Sequence, residues 1–204
     1  MTTAFGTDWR ADLERMALAV AYAIDNHPQC FLGTAILVEM ARMHGLHLEP
    51  AAVSLLAQRR STGAVVVSGH LAHRHFVNVT GAPAELVPIG AQVGDAAFDD
   101  AGHIVAIDRT RGLLLDPTFG QFTKAGMPDL VPVFPIDLST TEWAHAAPQD
   151  VNILYLHAPT NAGWQAAYAD ASTSVLGVAA DIRRHLAAGG EPHTHGHVFD
   201  TGDN

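Results

Sequence analysis

The most constraining feature of the chain is one long apolar run, QCFLGTAILVEMARM, which starts at about Gln29 and reaches Met43 or His44. Its apolar side chains lie nearly all round a helix, so the run predicts a central helix that is buried on every side. Pro28 suits the first helical turn, where a missing N–H costs nothing, and Gly45 accepts the left-handed conformation that ends a helix. The rest of the chain must therefore form layers that cover this helix.

A first helix precedes this run and short strands follow it. Thr7 or Asp8 can cap a helix that reaches about Ile24, with apolar residues at helical spacing. After Gly45 the segments are short, β-branched or apolar and separated by Gly and Pro, which is typical of strands in one sheet. The predicted strands are LEPAAVSLLAQ, AVVVS, HFVNVT, ELVPI, GHIVAIDR, GLLLD, LVPVFPI and VNILYLH. A helical pattern returns over about residues 163–188, so the order of elements predicts an α+β fold.

Size and charge limit the classes of function. A chain of 204 residues predicts one domain, which we place at residues 1–190, followed by a polar, His-rich C-terminal tail at 191–204. The net charge of -10, with only 11 Lys and Arg, argues against nucleic-acid binding, because neutralising phosphates requires a basic surface. The amino terminus lacks the pattern of a secretory signal, and no apolar run is long enough to cross a membrane. With a single cysteine, these features predict a cytoplasmic protein without membrane contact.

Cys30 is the only cysteine of the chain and cannot form an internal disulfide. If the buried helix begins near Pro28, Cys30 lies in its first turn, where unpaired backbone N–H groups and the helix dipole favour the thiolate. We therefore expect Cys30 to be an accessible, reactive thiol. The alternative is that a lone cysteine serves as a small buried hydrophobic residue. A thiol nucleophile would also need a base and a group that orients the base.

The segment GHIVAIDRTRGLLLD offers both groups, because it is typical of a β-hairpin with a polar turn. With Arg109 and Thr110 at the centre of the turn, His103 and Asp116 would lie directly opposite each other. Their Cβ atoms would then be about 5 Å apart, so the carboxylate could hold one imidazole nitrogen and leave the other for a thiol. A slip of one residue would put the two side chains on opposite faces of the sheet. The alternative is a strand-end histidine followed by an Asp-Pro turn.

A Cys that opens a buried helix, followed by a strand beginning with His and a strand ending in Asp, resembles the transglutaminase-like branch of the papain-like cysteine enzymes. The closest local match is the hairpin, with Gly102-His103, Leu115-Asp116-Pro117-Thr118 and Gln121-Phe122. The resemblance covers about residues 26–122. It implies a papain-like or transglutaminase-like α+β fold, in which a buried N-terminal catalytic helix packs on an antiparallel sheet.

The resemblance also implies a catalytic triad, with Cys30 as the nucleophile, His103 as the general base and acid, and Asp116 as the orienting group. One element departs from the papain pattern, because the side-chain amide expected six residues before the cysteine is Ile24 here. One oxyanion donor is worth about 3 kcal/mol, so another group would have to replace it. The candidates, besides the Cys30 backbone N–H, are Gln29, Asn26 and Trp9.

Members of this branch cleave, form or exchange amide and ester bonds through a thioester. We therefore expect a cysteine-dependent hydrolase of the peptidase or amidase type, acting on an amide, isopeptide or thioester carbonyl. Its partner would be a peptide, a protein or a small acyl substrate. Nothing in the sequence chooses between water and an amine as the acceptor, so a transglutaminase-like acyltransferase that forms an amide bond is an alternative. A noncatalytic binding protein on the same fold is another.

A histidine cluster raises the question of a metal. His70, His73 and His75 lie in GHLAHRHF, where a strand would put only the last two on one face. A metal-dependent hydrolase on this cluster is a third alternative, but no nearby carboxylate completes a ligand set. The alternating histidines of the tail, at 193–197, are simpler to explain as adventitious metal binders. No dinucleotide, phosphate-loop or serine-hydrolase motif is present, so we expect no metal and no cofactor.

Overall fold

The computed structural model describes residues 8–24, 29–81, 102–158 and 163–190. Within these ranges the chain forms seven strands in one antiparallel sheet, five α-helices and one 3₁₀ helix, Phe119–Ala125, which confirms the predicted α+β class. The helices are α1 (Trp9–Ala23), α2 (Cys30–Met43), α3 (His70–Thr80), α4 (Trp164–Ser172) and α5 (Leu176–Ala187). The strands are β1 (Glu49–Arg59), β2 (Val65–Ser68), β3 (His103–Asp108), β4 (Leu113–Leu115), β5 (Val133–Pro135), β6 (Glu142–Ala146) and β7 (Val151–His157).

The long strand β1 is the centre of the sheet, whose order is β5-β4-β3-β1-β7-β6. β3 pairs with the first half of β1 and β2 pairs with its second half. β7 pairs along the opposite edge of β1, from Val53 to Arg59. The start of β3 and the end of β7 therefore meet beside Val53, in the middle of the sheet.

The apolar helix α2 is central, as its sequence predicts. It begins at Cys30 and is followed by Gly45 at a φ of +72°, the left-handed conformation that only glycine adopts without strain. Ile36 and Met40 are fully buried in a core cluster that joins α1, α2 and α5 to the sheet. The buried hydroxyl of Thr34 donates a hydrogen bond to the carbonyl oxygen of Ile104 at 3.1 Å, which ties α2 to β3.

The hairpin of β3 and β4 has a different register from the predicted one. Ile107 pairs with Leu114, so the turn is centred between Thr110 and Arg111, one residue later than predicted. The physical reason is the buried Asp108, whose carboxylate accepts hydrogen bonds from the backbone N–H and the guanidinium of Arg111. These bonds stabilise a turn of four residues, which is wider than the two-residue turn that the sequence suggested.

The observed register makes His103 and Asp116 diagonal neighbours rather than directly opposed residues. Each position still faces the same side of the sheet, because moving the partner by two residues preserves the alternation of side chains. That side carries the second core cluster, which includes Val105, Leu114 and Phe119. The predicted common face is therefore observed, although the register from which it was predicted is wrong.

Residues 75–80, HFVNVT, form the second half of α3, so the predicted strand there is wrong. The helix begins after Gly69 and ends at Gly81, which takes the left-handed conformation at a φ of +69°. The β-branched residues suggested a strand, yet the helix leaves Val79 72% exposed and packs through the buried Ala72. Tertiary packing of one helical face has overridden the local β-propensity.

The helix predicted over residues 163–188 is two helices, α4 and α5. The break follows three consecutive hydroxyl residues, Ser172, Thr173 and Ser174, whose side chains each donate to a backbone carbonyl three residues earlier. Such bonds compete with continuation of the helix. The short strand β6 is also missing from the predicted strands, because its sequence, EWAHA, is poor in β-branched residues.

Several predictions fall on residues outside the described ranges: the Thr7 cap, Pro28 in the first turn, the strand ELVPI and the tail at 191–204. Among the helices that the structure describes, none combines the length and the apolar character needed to span a bilayer.

Candidate active site

Three elements bring the predicted triad residues together. Cys30 is the first residue of α2, His103 is the first residue of β3, and Asp116 directly follows β4. The start of β3 is anchored on two sides. The backbone N–H of Gly102 donates to the carbonyl of Val53 at 3.1 Å, and its own carbonyl accepts a bond from a buried serine of β2 at 2.8 Å.

The imidazole of His103 and the carboxylate of Asp116 form a direct contact. His103 Nε2 lies 2.8 Å from Asp116 Oδ2, and both side chains are completely buried. This distance lies within the hydrogen-bonding range, so the carboxylate holds one imidazole nitrogen, as the hairpin pattern suggested. Because Nε2 is taken by the carboxylate, the nitrogen that remains for other partners is Nδ1.

The carboxylate of Asp116 is surrounded by hydrogen-bond donors. Thr118 donates to Oδ1 twice, from its backbone N–H and from its hydroxyl, each at 3.0 Å. The hydroxyl of Tyr155 donates to Oδ2 at 2.8 Å. Burial raises the pKa of Asp116, but the charge and hydrogen bond of His103 and these donors outweigh it and lower that pKa below its usual value. The carboxylate is therefore held ionised in a fixed orientation.

The same contacts stabilise the protonated form of His103. Burial alone lowers the pKa of this imidazole, but the charge and hydrogen bond of Asp116, together with the hydrogen bond and charge of Cys30, raise it to about 10. Cys30 therefore lies near the imidazole whose Nε2 is held by Asp116. An imidazolium beside a thiol is the arrangement that stabilises a thiolate.

The sulfur of Cys30 is buried, which corrects the expectation of an accessible thiol. The residue is 3% exposed and packs among Ala52, Ile104 and Ala158. The long apolar run that forms α2 places this helix under the sheet, so its first residue is covered together with the rest. A substrate carbonyl can reach the sulfur only when some of this cover is displaced.

Gly33 allows α2 to approach the carboxylate closely. A Cβ atom at this position would lie 2.4 Å from Cγ2 of Thr118 and 3.0 Å from Cδ1 of Ile24. Thr118 cannot yield easily, because it is β-branched and both its N–H and its hydroxyl are bound to Asp116. The glycine, one turn after Cys30, is therefore a requirement of the contact between helix and site.

We expect Gly33→Ala to slow acylation of Cys30, because the added methyl group must displace Thr118 or push α2 away from His103. Overpacking of this kind costs about 1–3 kcal/mol of stability, against about 1 kcal/mol gained in helix propensity. Acylation rates and thermal unfolding of the variant measure the two effects. Gly177→Ala in α5 is the matched control, since a Cβ there meets nothing within 4 Å. Equal acylation rates for both variants and the parent would contradict the account.

Tyr155 is a site residue that the sequence did not indicate. It lies in β7, fully buried, and its hydroxyl reaches Asp116 from a strand that follows the carboxylate by 39 positions in the chain. Burial and the neighbouring carboxylate raise the pKa of this phenol well above its usual value, so its hydroxyl stays protonated and is a donor at neutral pH. It acts on the imidazole only through Asp116 and is therefore a positioning residue.

Tyr155→Phe is expected to lower the free energy of unfolding by about 1.5–3 kcal/mol, the range for a hydrogen bond to a charged group. The rate constant of acylation should fall with little change in the substrate concentration at half saturation, because the imidazole is less firmly oriented while the binding surface is intact. Tyr168→Phe, which removes a half-buried hydroxyl in α4, is the control. A variant that loses stability but acylates at the parent rate would show that Tyr155 has only a structural role.

Two of the predicted oxyanion candidates, Gln29 and Trp9, lie within the described residues, and neither side chain is placed beside the sulfur. Gln29 precedes α2 with an exposed side chain, and its carbonyl accepts the N–H of Gly33 at 2.9 Å. Trp9 lies against the guanidinium of Arg111, 4.8 Å from the ring centre, at the turn end of the hairpin. That end is about 17 Å from His103 along β3. Asn26 lies outside the described residues.

A second residue that the sequence did not single out is Gln121, in the 3₁₀ helix that follows Asp116. Its Nε2 lies 3.2 Å from His103 Nδ1, and the residue is 7% exposed. Phe122, the next residue, packs its ring against the imidazole edge with centroids 5.6 Å apart. The pair Gln121-Phe122 contributed to the family resemblance, but nothing in the sequence gave the glutamine a role.

The histidine cluster in α3 has a different geometry from the predicted one. In a helix, His70 and His73 are one turn apart on neighbouring positions, and His75 points to another side, which reverses the pairing that a strand would give. Over the ranges that the structure describes, no group of three metal-binding side chains is found.

Comparisons of the chain with protein-family models, with curated proteins and with solved structures found no match. A proposal of function therefore depends on the geometry of the site.

Proposed function

We propose that this chain is a cysteine-dependent hydrolase of the peptidase or amidase type, on a papain-like, transglutaminase-like fold. One observation carries the proposal: the buried carboxylate of Asp116 holds His103 Nε2 at 2.8 Å, and Cys30 lies beside the same imidazole, close enough to raise its pKa. This arrangement supports Cys30 as the nucleophile, His103 as its base and Asp116 as the group that orients the base. The substrate class is an amide, isopeptide or thioester carbonyl.

In the proposed reaction the Cys30 thiolate adds to the carbonyl carbon, and the carbonyl π electrons move to the oxygen. Collapse of this intermediate re-forms the C=O bond and breaks the bond to the leaving group, which takes the proton from His103 Nδ1. The products of this half are a thioester on Cys30 and a free amine or thiol. The neutral imidazole then removes a proton from water, which attacks the thioester and releases the acid. Asp116 keeps Nε2 protonated and bound throughout.

A transglutaminase-like acyltransferase would use the same first half and would resolve the thioester with an amine. The described residues hold no feature that favours either acceptor, so the acceptor has to be measured. The noncatalytic alternative has one observation in its favour, which is that Cys30 is only 3% exposed. A thiol in a packed cluster with no need to react would have that burial.

Intact-protein mass spectrometry tests the proposal. The native protein is mixed with p-nitrophenyl acetate, with and without a small primary amine, and quenched in acid over time. We expect one acetyl group on Cys30 that appears with the burst of p-nitrophenol and then decays. Decay that is faster with the amine, with formation of the acetylated amine, indicates the acyltransferase. Acetylation that appears only after unfolding would reject both enzymes and favour the noncatalytic protein.

A further inference from the structure

The side-chain amide of Gln121 is a buried polar group of which only one end has a hydrogen-bond partner. Its Nε2 lies 3.2 Å from His103 Nδ1, and its Oε1 has no hydrogen-bond partner within the described residues. The residue is 7% exposed, so water does not readily satisfy that end. A buried carbonyl left without a partner costs about 1–3 kcal/mol, which a protein rarely tolerates away from a functional site.

Only one end of this amide, the NH₂ group or the carbonyl, can form a hydrogen bond with His103 Nδ1 at a time. Beside a neutral imidazole, the Gln121 N–H donates to Nδ1 and the carbonyl is free. Beside an imidazolium, Nδ1 carries a proton and cannot accept, so the amide must turn its carbonyl toward Nδ1. Its NH₂ group is then the unpartnered end. The imidazolium forms in the proposed reaction when His103 takes the proton of Cys30, so two N–H donors of Gln121 are then free beside the imidazole.

Free N–H donors are the chemistry that a developing oxyanion requires. While the thiolate of Cys30 adds to a carbonyl, the imidazole of His103 is protonated and the carbonyl oxygen carries negative charge. In this state the amide of Gln121 presents donors rather than an acceptor. The two oxyanion candidates that the structure describes do not compete for this role, because the side chain of Gln29 is exposed and Trp9 lies at the far end of the hairpin.

We propose that the side-chain amide of Gln121 is the oxyanion donor of this site and binds the oxygen of the substrate carbonyl as Cys30 adds to its carbon. This inference rests on the proposed function. The C=O π electrons become the charge on the oxygen, the Gln121 N–H binds that oxygen, and the same electrons re-form the C=O bond when the leaving group departs with the proton of His103. In papain-like enzymes a side-chain amide six residues before the cysteine is the expected oxyanion donor, and here that position is Ile24.

The test compares two reactions of Cys30 in Gln121→Met, which keeps the size of the side chain and removes its N–H donors. Acylation by p-nitrophenyl acetate passes through an oxyanion, whereas alkylation by iodoacetamide displaces iodide at carbon and forms none. We expect acylation to fall by about 100-fold or more while alkylation changes much less. Both rates are measured on one sample, whose circular dichroism spectrum must match that of the parent so that both report the folded protein. Gln58→Met, at an exposed position of β1, is the matched control and should leave the ratio unchanged.

The other outcomes separate this inference from the proposed function. If both reactions slow equally in Gln121→Met, the glutamine only positions His103 and the inference is wrong. If neither slows, the amide has no role in the chemistry and the inference is wrong as well. If the parent protein is alkylated but never acylated, the proposed function is wrong, and the inference that rests on it is wrong too. Gln121→Leu, measured in the same way, guards against an effect peculiar to the methionine side chain.

Discussion

Asp116→Asn is expected to slow acylation of Cys30 by about 10⁴-fold and to leave the protein folded, as replacement of the carboxylate does in other triads. An asparagine can donate its N–H to His103 Nε2, which fixes the proton on Nδ1 and removes the base from the thiol. It also carries no charge, so it cannot stabilise the imidazolium. Both losses act at the imidazole, whereas the Thr118 and Tyr155 contacts can persist in part because an amide still has an oxygen acceptor.

The pH dependence of the acylation rate should also change in Asp116→Asn, and the direction of that change follows from the pKa of His103. The parent holds the pKa of His103 at about 10 through Asp116 and Cys30, so the imidazolium persists until the pH approaches that value. Without the carboxylate, burial remains and lowers the pKa of His103. The pH at which the rate of acylation falls should therefore move downward from about 10 in Asp116→Asn.

Asp108→Asn is the matched control for that experiment, because Asp108 is a buried carboxylate in the same hairpin that binds Arg111 instead of His103. It should cost stability while leaving the pH profile of acylation in place. If the pH profiles of acylation of Asp116→Asn and Asp108→Asn both coincide with that of the parent, the role given to Asp116 is contradicted.

Cys30→Ala is expected to abolish the acyl-enzyme and to reduce turnover to the uncatalysed background, a loss on the order of 10⁵-fold or more for a nucleophile. The fold should survive, because the change removes one buried sulfur from a cluster of small apolar neighbours. Ile104→Val, which truncates another member of that cluster, is the control and should cost about 0.5–1.5 kcal/mol of stability without loss of chemistry. Substrate turnover by Cys30→Ala at the parent rate would remove the thiol from the mechanism.

The sequence predicted the buried helix and its ends well, because those features are local. Asp8 caps α1 by accepting the N–H groups of Arg10 and Ala11, and Gly45 follows α2 in the left-handed conformation. The apolar pattern of α2 reports its burial directly. The common face of His103 and Asp116 was also predictable, since alternation tolerates an error of two residues in register.

What the sequence could not predict depends on contacts between distant segments. Tyr155 is one aromatic residue among the apolar residues of β7, and its bond to Asp116 exists only because β7 pairs with β1 and so crosses the site. Gln121 reaches His103 through a 3₁₀ helix, which has no clear periodicity in sequence. The burial of Cys30 also depends on distant segments, because residues of β1 and β3 cover the start of α2.

The central claim is that Cys30 is a nucleophile activated by His103 and not a cysteine of the core. The rate of alkylation by iodoacetamide at about pH 6.5, measured by mass spectrometry on the folded protein, tests it most directly. We predict rapid alkylation of the parent, since His103 lies beside the thiol as the base that removes its proton, and a rate at least about tenfold lower in His103→Ala. A Cys30 that resists alkylation until the protein unfolds, at the same rate with and without His103, would contradict the account.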